Sequence, residues 1–170
     1  MSFENIKLKF KVSVTICFTL MLSGCINSSK QSNVKDSLSI IYPSDVIPFM
    51  EQWKILLGDG THVEDLVSYQ KKDFFYVEND GTTNWVVYKT PNAGITSRTS
   101  SNTRTELGEK AHWIPEVGGK LTVTLKVQHV STTGDATAAS SYSVVIGQIH
   151  SDEGHENEPL KIYYKKFPSH

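Results

Sequence analysis

The chain has 170 residues, of which 38% are apolar and 10% aromatic, with a formal charge of −1. This length is typical of one globular domain, and the composition differs from that of disordered, collagen-like or coiled-coil proteins. Because there is no surplus of basic residues to neutralise phosphates, we expect no nucleic-acid partner.

The first 24 residues resemble a bacterial lipoprotein signal peptide. Three lysines precede an uncharged, mostly apolar run at residues 12–22, which is too short to span a membrane. The end of this run and the three residues after it read Leu22-Ser23-Gly24-Cys25. This sequence resembles a lipobox, in which the cysteine becomes the lipidated first residue of the mature protein. An ordinary signal peptide with an incidental cysteine is the alternative interpretation.

Lipidation of Cys25 would attach the mature protein to a membrane without making it span one. Ile26 stands where an Asp is associated with retention at the inner membrane, so we expect an outer-membrane lipoprotein. It would be periplasmic or surface-exposed, with release from the cell as a further option. Residues 25–39 include a run rich in Ser and Asn, which predicts a flexible tether, and residues 40–170 form the predicted folded domain. Cys17 lies inside the signal, so no intramolecular disulfide can form.

Strand and turn patterns dominate the predicted domain. The predicted strands are residues 74–77, 85–88, 121–130, 142–150 and 160–167. Asn79-Asp80-Gly81 predicts a hairpin between the first two strands, and Gly118-Gly119 predicts a turn before the third. Helical signal is limited to a short turn within residues 44–53, because Pro48 interrupts it. Several short strands separated by turns predict an all-β fold, either a β-sandwich or a jelly roll.

Length raises a second expectation. Sandwiches of this class commonly have roughly 200–250 residues, more than residues 40–170 supply. The sequence also ends directly after a predicted strand. We therefore expect residues 1–170 to be a fragment, incomplete at the C-terminus, and to be inactive and poorly stable by themselves.

The first candidate for chemistry lies at residues 104–109. In a strand, Arg104, Glu106 and Gly108 share one face, whereas Thr105 and Leu107 share the other. A guanidinium can bind a carboxylate through a bidentate fork, and a neighbouring Glu can hold that fork in place. The alternative is a solvated strand face with an incidental ion pair, which the spacing alone favours.

The second candidate ends the predicted strand 142–150. Gln148 and His150 share a face there, so an amide could orient a substrate oxygen beside a general base. The alternative is a strand that turns polar as it leaves the sheet. Val144 and Ile146 have the same parity as Gln148, so that face would be part apolar unless Gly147 marks a bulge that resets the alternation.

Other kinds of site receive little support. The acidic residues 152–158 match no zinc or EF-hand spacing, and a solvated loop is favoured over a metal site. The sequence contains no Gly-x-Ser-x-Gly elbow, phosphate-binding Gly-rich loop, Cys-x-x-Cys pair or Glu-x-Asp-x-Glu strand. We expect neither a metal nor a cofactor.

Taken together, these residues resemble polysaccharide lyase family 7, the alginate lyases. Residues 53–57 resemble the first strand of that family, and residues 100–109 resemble its Arg-(Thr/Ser)-Glu-(Leu/Val)-Arg motif. Residues 148–150 match its Gln-(Ile/Val)-His motif, and residues 159–164 fit the strand that follows. The two motifs occur in the family's order, which is more specific than either motif alone.

The resemblance implies an all-β jelly-roll β-sandwich (concanavalin A-like) with a groove for alginate or a related polyuronate, which is cleaved by β-elimination to leave unsaturated ends. It assigns catalysis, with no metal, to Arg104 and Gln148, which neutralise the sugar carboxylate, and to His150, as the base or as a partner in that neutralisation. Glu106 is a substrate-binding residue that supports them. Because the mature chain is slightly acidic, a polyanion needs a local basic groove, to which Lys161 and Lys165 are expected to contribute substrate contacts. A monomer is expected.

Two features depart from the family pattern. Gly108 stands where the family has its second Arg, and the motif Tyr-Phe-Lys-Ala-Gly-x-Tyr-Asn-Gln, with the expected proton-donating tyrosine, does not occur in residues 1–170. The alternatives are a non-catalytic uronate-binding jelly roll, a glycoside hydrolase on the same sandwich, and a structural lipoprotein domain. Fold alone cannot decide among them.

Overall fold

The computed structural model describes the backbone of residues 5–11 and, beyond it, residues 40–96, 100, 102–132, 137, 141–151 and 158–166. The elements are β1 (Asn5–Lys11), α1 (Pro43–Val46), a 3-10 turn (Met50–Gln52), β2 (Trp53–Leu56), β3 (His62–Val63), β4 (Phe75–Asn79), β5 (Asn84–Pro91), β6 (Glu106–Glu109), β7 (Thr124–Val127), β8 (Ser143–Ile149) and β9 (Leu160–Lys165). Strands dominate, which confirms the predicted all-β class. Over these ranges no helix is long and apolar enough to cross a bilayer.

The strands form three antiparallel sheets. The first contains β4, β5, β1 and β7 side by side, the second contains β3, β2 and β6, and the third is the β8–β9 hairpin. β1 lies within the predicted signal peptide, whose cleavage stays a prediction. The predicted tether and Cys25 lie outside the described residues.

The predicted hairpin at Asn79-Asp80-Gly81 is confirmed. β4 and β5 pair up to Asn79 opposite Asn84, and Gly81 has a φ of 94°, which favours glycine. The Asp80 carboxylate accepts a hydrogen bond from Trp85 Nε1 at 2.7 Å and contacts Lys126 Nζ on β7 at 3.0 Å. These donors, together with those of Thr82, hold the pKa of Asp80 well below its usual range.

The hydrophobic core lies between the first two sheets. Phe75 and Val86 from the first sheet pack against Ile55 from the second, and all three are fully buried. Met50, from the 3-10 turn, closes one side of this cluster. Because such a core is packed to crystal-like density, replacing Phe75 by Ala would destabilise the fold by about 3–5 kcal/mol.

The strand bounds differ from the sequence prediction: β4 and β5 are longer than predicted, and β7, β8 and β9 are shorter. β7 covers only Thr124–Val127, the part of the predicted strand 121–130 that pairs with β1, although Leu125 and Val127 pack on the core as the alternation predicts. The short helix begins at Pro43 rather than Ser44, because the Asp45 carboxylate accepts the backbone N–H groups of Ile41 and Tyr42. The predicted turn at Gly118-Gly119 is confirmed by a φ of 67° at Gly118.

Candidate active site

Glu106 joins the two sequence motifs. Its Oε2 accepts a hydrogen bond from Arg104 Nη1 at 3.3 Å, and its Oε1 accepts one from Gln148 Nε2 at 2.5 Å. Gln148 lies 42 residues further along the chain, so the contact links the second sheet to the β8–β9 hairpin. We call Arg104, Glu106 and Gln148 the Glu106 cluster. All three residues are half-buried, so their polar groups are partly shielded from water while remaining accessible.

Strand alternation places the Glu106 cluster on the sheet face opposite the core. Leu107 packs on the core, whereas Glu106 and Gly108 lie opposite Leu56 and Lys54 of β2. The predicted alternation of residues 104–108 is therefore confirmed. A solvated face with an incidental ion pair fits less well, because Glu106 also contacts Gln148.

A β-bulge brings Gln148 onto this face. Val145 lies opposite Tyr163 and Gln148 lies opposite Lys161, with the register shifting between Val145 and Gly147. Because Tyr163 and Lys161 share a face of β9, Val145 and Gln148 also share a face of β8. In a regular strand these two residues, three positions apart, would lie on opposite faces. Ile146 packs on the core instead. The bulge suggested by Gly147 is confirmed, and it resolves the mixed parity of this strand.

His150 follows the end of β8 and is exposed. Its Nδ1 lies 2.8 Å from the backbone carbonyl oxygen of Ser151. Because a carbonyl oxygen only accepts hydrogen bonds, this contact requires a proton on Nδ1 and leaves Nε2 as the basic nitrogen of the neutral ring. His150 therefore has the tautomer that a general base needs. In the described residues, no hydrogen bond joins His150 directly to the Glu106 cluster.

Glu158 was not predicted as a site residue, because its sequence suggested only a solvated acidic loop. Its carboxylate contacts Lys161 Nζ. This hydrogen bond is the main cause that lowers the pKa of Glu158, and the charge of Arg104 lowers it further. Through its contact with Lys161, Glu158 lies beside the candidate site.

The two predicted lysines of β9 have different places. Lys161 pairs with Gln148 and belongs to the candidate site, whereas Lys165 pairs with Ser143, four residues along the strand. At the rise of a β-strand that separation is about 13 Å, so Lys165 lies on the same face but outside the Glu106 cluster. Tyr163 lies between the two lysines on this face and is 42% exposed. Tyr163 was not among the predicted site residues, although the alternation of β9 places it on the same face as Lys161.

Thr105 fixes the backbone beside Arg104, which precedes β6 and is outside the strand ladder. Its hydroxyl donates a hydrogen bond to the carbonyl oxygen of Lys89 at 2.8 Å and accepts one from the N–H of Gly58 at 3.2 Å. Its own N–H donates to Thr90 Oγ1 at 3.1 Å. These three bonds tie the approach to β6 to β5 and to the turn after β2, so Thr105 positions the Arg104 backbone.

The groups at this face suit recognition of a carboxylate-bearing molecule. Arg104 offers a cation, Gln148 an amide dipole and His150 a basic nitrogen, a combination that can stabilise negative charge while a proton is removed. Within the described residues, no group of three or more His, Cys, Asp or Glu side chains could hold a metal ion.

Comparison with known proteins identifies the family. An alginate lyase family model matches residues 47–170. An alginate lyase from Klebsiella pneumoniae is 32% identical, over 60% of this chain and 40% of that protein. The crystal structure of the exolytic PL7 alginate lyase AlyA5 from Zobellia galactanivorans is 77% identical, with a TM-score of 0.73, over 76% of this chain and 42% of that one.

These matches have two consequences. The structural match confirms the predicted jelly-roll β-sandwich, and the chain spans about two fifths of the length of the proteins it matches. Because the family model covers most of the sequence, the chain belongs to the alginate lyase family.

Proposed function

We propose that this protein is an alginate lyase that cleaves the 4-O-glycosidic bond by β-elimination. The observation that carries the proposal is the Glu106 cluster, because it brings the guanidinium of Arg104 and the amide of Gln148 to one carboxylate on an open sheet face. A uronate carboxylate bound by the same guanidinium and amide would lie beside His150.

In the proposed reaction, Arg104 and Gln148 bind the carboxylate of the sugar and stabilise the enolate that develops from it. His150 Nε2 accepts the proton from C5, and the electrons of that C–H bond form the C4–C5 double bond. The bond from C4 to the glycosidic oxygen breaks, and the oxygen leaves with its electron pair and takes a proton from water. The imidazolium of His150 then returns its proton to the solvent. Electrostatic stabilisation of this kind is worth about 10²–10³-fold in rate.

We propose that Glu106 is a positioning residue rather than a direct substrate contact. Both of its carboxylate oxygens accept hydrogen bonds from the protein, one from Arg104 and one from Gln148. Lys161 and Lys165 are proposed to bind further carboxylates of the polymer along β9. The exolytic name of the 77% identical relative supports release of short products from a chain end.

The proposed location is the bacterial outer membrane, through a lipid on Cys25. The basic segment, the short apolar run and Leu22-Ser23-Gly24-Cys25 support this proposal. Mass spectrometry of the protein made in a bacterial host is expected to find a diacylglyceryl group on an N-terminal Cys25. An unmodified cysteine, or cleavage at another residue, would contradict it.

The test of function is to incubate the full-length gene product with alginate and to measure both ultraviolet absorbance and reducing ends. A lyase raises both, because each cleavage creates one unsaturated end, which absorbs, and one new reducing end. A glycoside hydrolase raises only the reducing ends, and a binding protein retains alginate but changes neither. Exolytic action predicts that absorbance rises while the viscosity of the polymer falls slowly.

A further inference from the structure

Lys54 of β2 lies on the same sheet face as the Glu106 cluster. β2 and β6 pair with Lys54 opposite Gly108 and with Leu56 opposite Glu106. Residues directly opposite each other in an antiparallel pair project from the same face. The next residue of β2, Ile55, is fully buried in the core, which confirms that Lys54 projects the other way.

Gly108 leaves room for the Lys54 side chain. A Cβ atom at residue 108 would lie 3.6 Å from both Cγ and Cε of Lys54, which is ordinary van der Waals contact. The aliphatic stem of Lys54 therefore runs across the glycine, and its ammonium extends beyond it. Lys54 therefore places a cation beside Gly108, the position of β6 that has no side chain of its own.

The ammonium of Lys54 is available for an external anion. Within the described ranges no carboxylate pairs with it: Glu64, near the end of β3, contacts His62 at 3.4 Å, and Glu106 is engaged by Arg104. By contrast, Lys161 is already paired with Glu158. Lys54 is thus a cation on the candidate substrate face without a carboxylate partner in the described part of the chain.

We propose that Lys54 binds a carboxylate of the uronate chain in a subsite next to the reacting sugar. The proposal rests on the proposed function, since it assigns a residue to the same groove. Gly108 lies two residues along β6 from Glu106, about 7 Å at the rise of a strand, so the subsite adjoins the centre of the reaction without being part of it. Lys54 therefore contributes binding and not chemistry.

The first test compares Lys54→Met, which keeps the aliphatic stem, with Lys72→Met, a matched change at an exposed lysine of the turn before β4. In the full-length gene product we expect Lys54→Met to raise KM roughly tenfold with kcat within about twofold, because uniform binding is lost. Lys72→Met is expected to change neither. Equal KM values for Lys54→Met and the unsubstituted protein would overturn the proposal.

The second test is rescue by charge from the neighbouring strand. Because Gly108 has room for a side chain, Lys54→Met/Gly108→Arg restores a cation to the same place, and we expect KM to return toward the original value. A purely structural role of Lys54 would leave the double variant as weak as the single one. Thermal unfolding of each variant, with Lys54→Gln as a second neutral substitution, checks that the fold is retained.

Binding to an alginate oligosaccharide, measured by calorimetry in a His150→Ala background, separates the two proposals. Cleavage is assayed separately in the protein that keeps His150: if that protein binds but never cleaves alginate, the lyase proposal fails, and Lys54 is still judged by the affinity of its variants in the His150→Ala background. Roughly tenfold weaker binding by Lys54→Met supports the subsite. Unchanged affinity, or no binding by any variant, contradicts it.

Discussion

Replacing Glu106 by Gln tests whether the Glu106 cluster acts as one unit. The carboxylate accepts one hydrogen bond on each oxygen, from Arg104 Nη1 at 3.3 Å and from Gln148 Nε2 at 2.5 Å. A Gln at this position has the same shape but only one acceptor oxygen, because the other atom is an NH₂ donor. In either orientation of the amide, one of the two donors therefore faces another donor.

The size of the effect follows from these contacts. A hydrogen bond to a charged group is worth about 1.5–3 kcal/mol, and the side chains of Arg104 and Glu106 are each 33% exposed, which places the loss at the lower end. Because about 1.4 kcal/mol corresponds to a factor of ten, Glu106→Gln is expected to lower turnover roughly tenfold. The initial rate of absorbance increase on alginate is the measurement.

Glu109→Gln is the matched control on the same strand. Glu109 lies on the opposite face from Glu106, and its Oε2 accepts a hydrogen bond from Trp113 Nε1 at 2.6 Å, which an amide oxygen can also accept. We expect its turnover to stay within about twofold of the original protein. If Glu106→Gln retained full turnover, or if both variants lost the same amount, the positioning role of Glu106 would be wrong.

The remaining predictions concern catalysis, positioning and pH. Arg104→Ala and His150→Ala are each expected to lower turnover by at least about 100-fold with folding intact; near-original rates would remove them from the mechanism. Thr105→Val is expected to lower turnover more than Thr105→Ser, which keeps the hydroxyl; equal rates would contradict its role. The hydrogen bond from Lys71 lowers the pKa of Asp59 to about 2, so the stability it contributes is present above about pH 4 and is lost as the pH falls toward 2. Melting temperatures measured from pH 5 to 2 should fall less steeply for Asp59→Asn.

Local patterns predicted the strands and the faces of the candidate site. The alternation of Arg104 to Gly108 indicated which side chains leave the core, because a strand has a period of two residues. Gly147 suggested the bulge before its position was known, since a glycine inside a strand commonly marks one. These inferences need only neighbours in sequence.

Contacts between distant segments were not predictable in this way. The bond between Glu106 and Gln148 depends on how two sheets meet, and the pairing of Lys54 with Gly108 depends on the register of β2 against β6. Neither is encoded in a local pattern, because register is decided by the packing of whole strands. Thr105 was assigned only to the inward face, since sequence alone does not show which backbone groups its hydroxyl reaches.

Acidic side chains in a proposed site for a polyanion require an explanation, because the chain as a whole has a formal charge of −1. Glu106 and Glu158 each contact a cation of the proposed groove, Arg104 and Lys161. A paired carboxylate holds its partner in one geometry and lowers the entropy that a substrate carboxylate must overcome when it binds. Lys54 lacks such a partner in the described part of the chain, so it has positive charge to offer. The proposed groove therefore combines paired cations, which would hold a uronate carboxylate in a fixed geometry, with Lys54, which would suit capture of the chain.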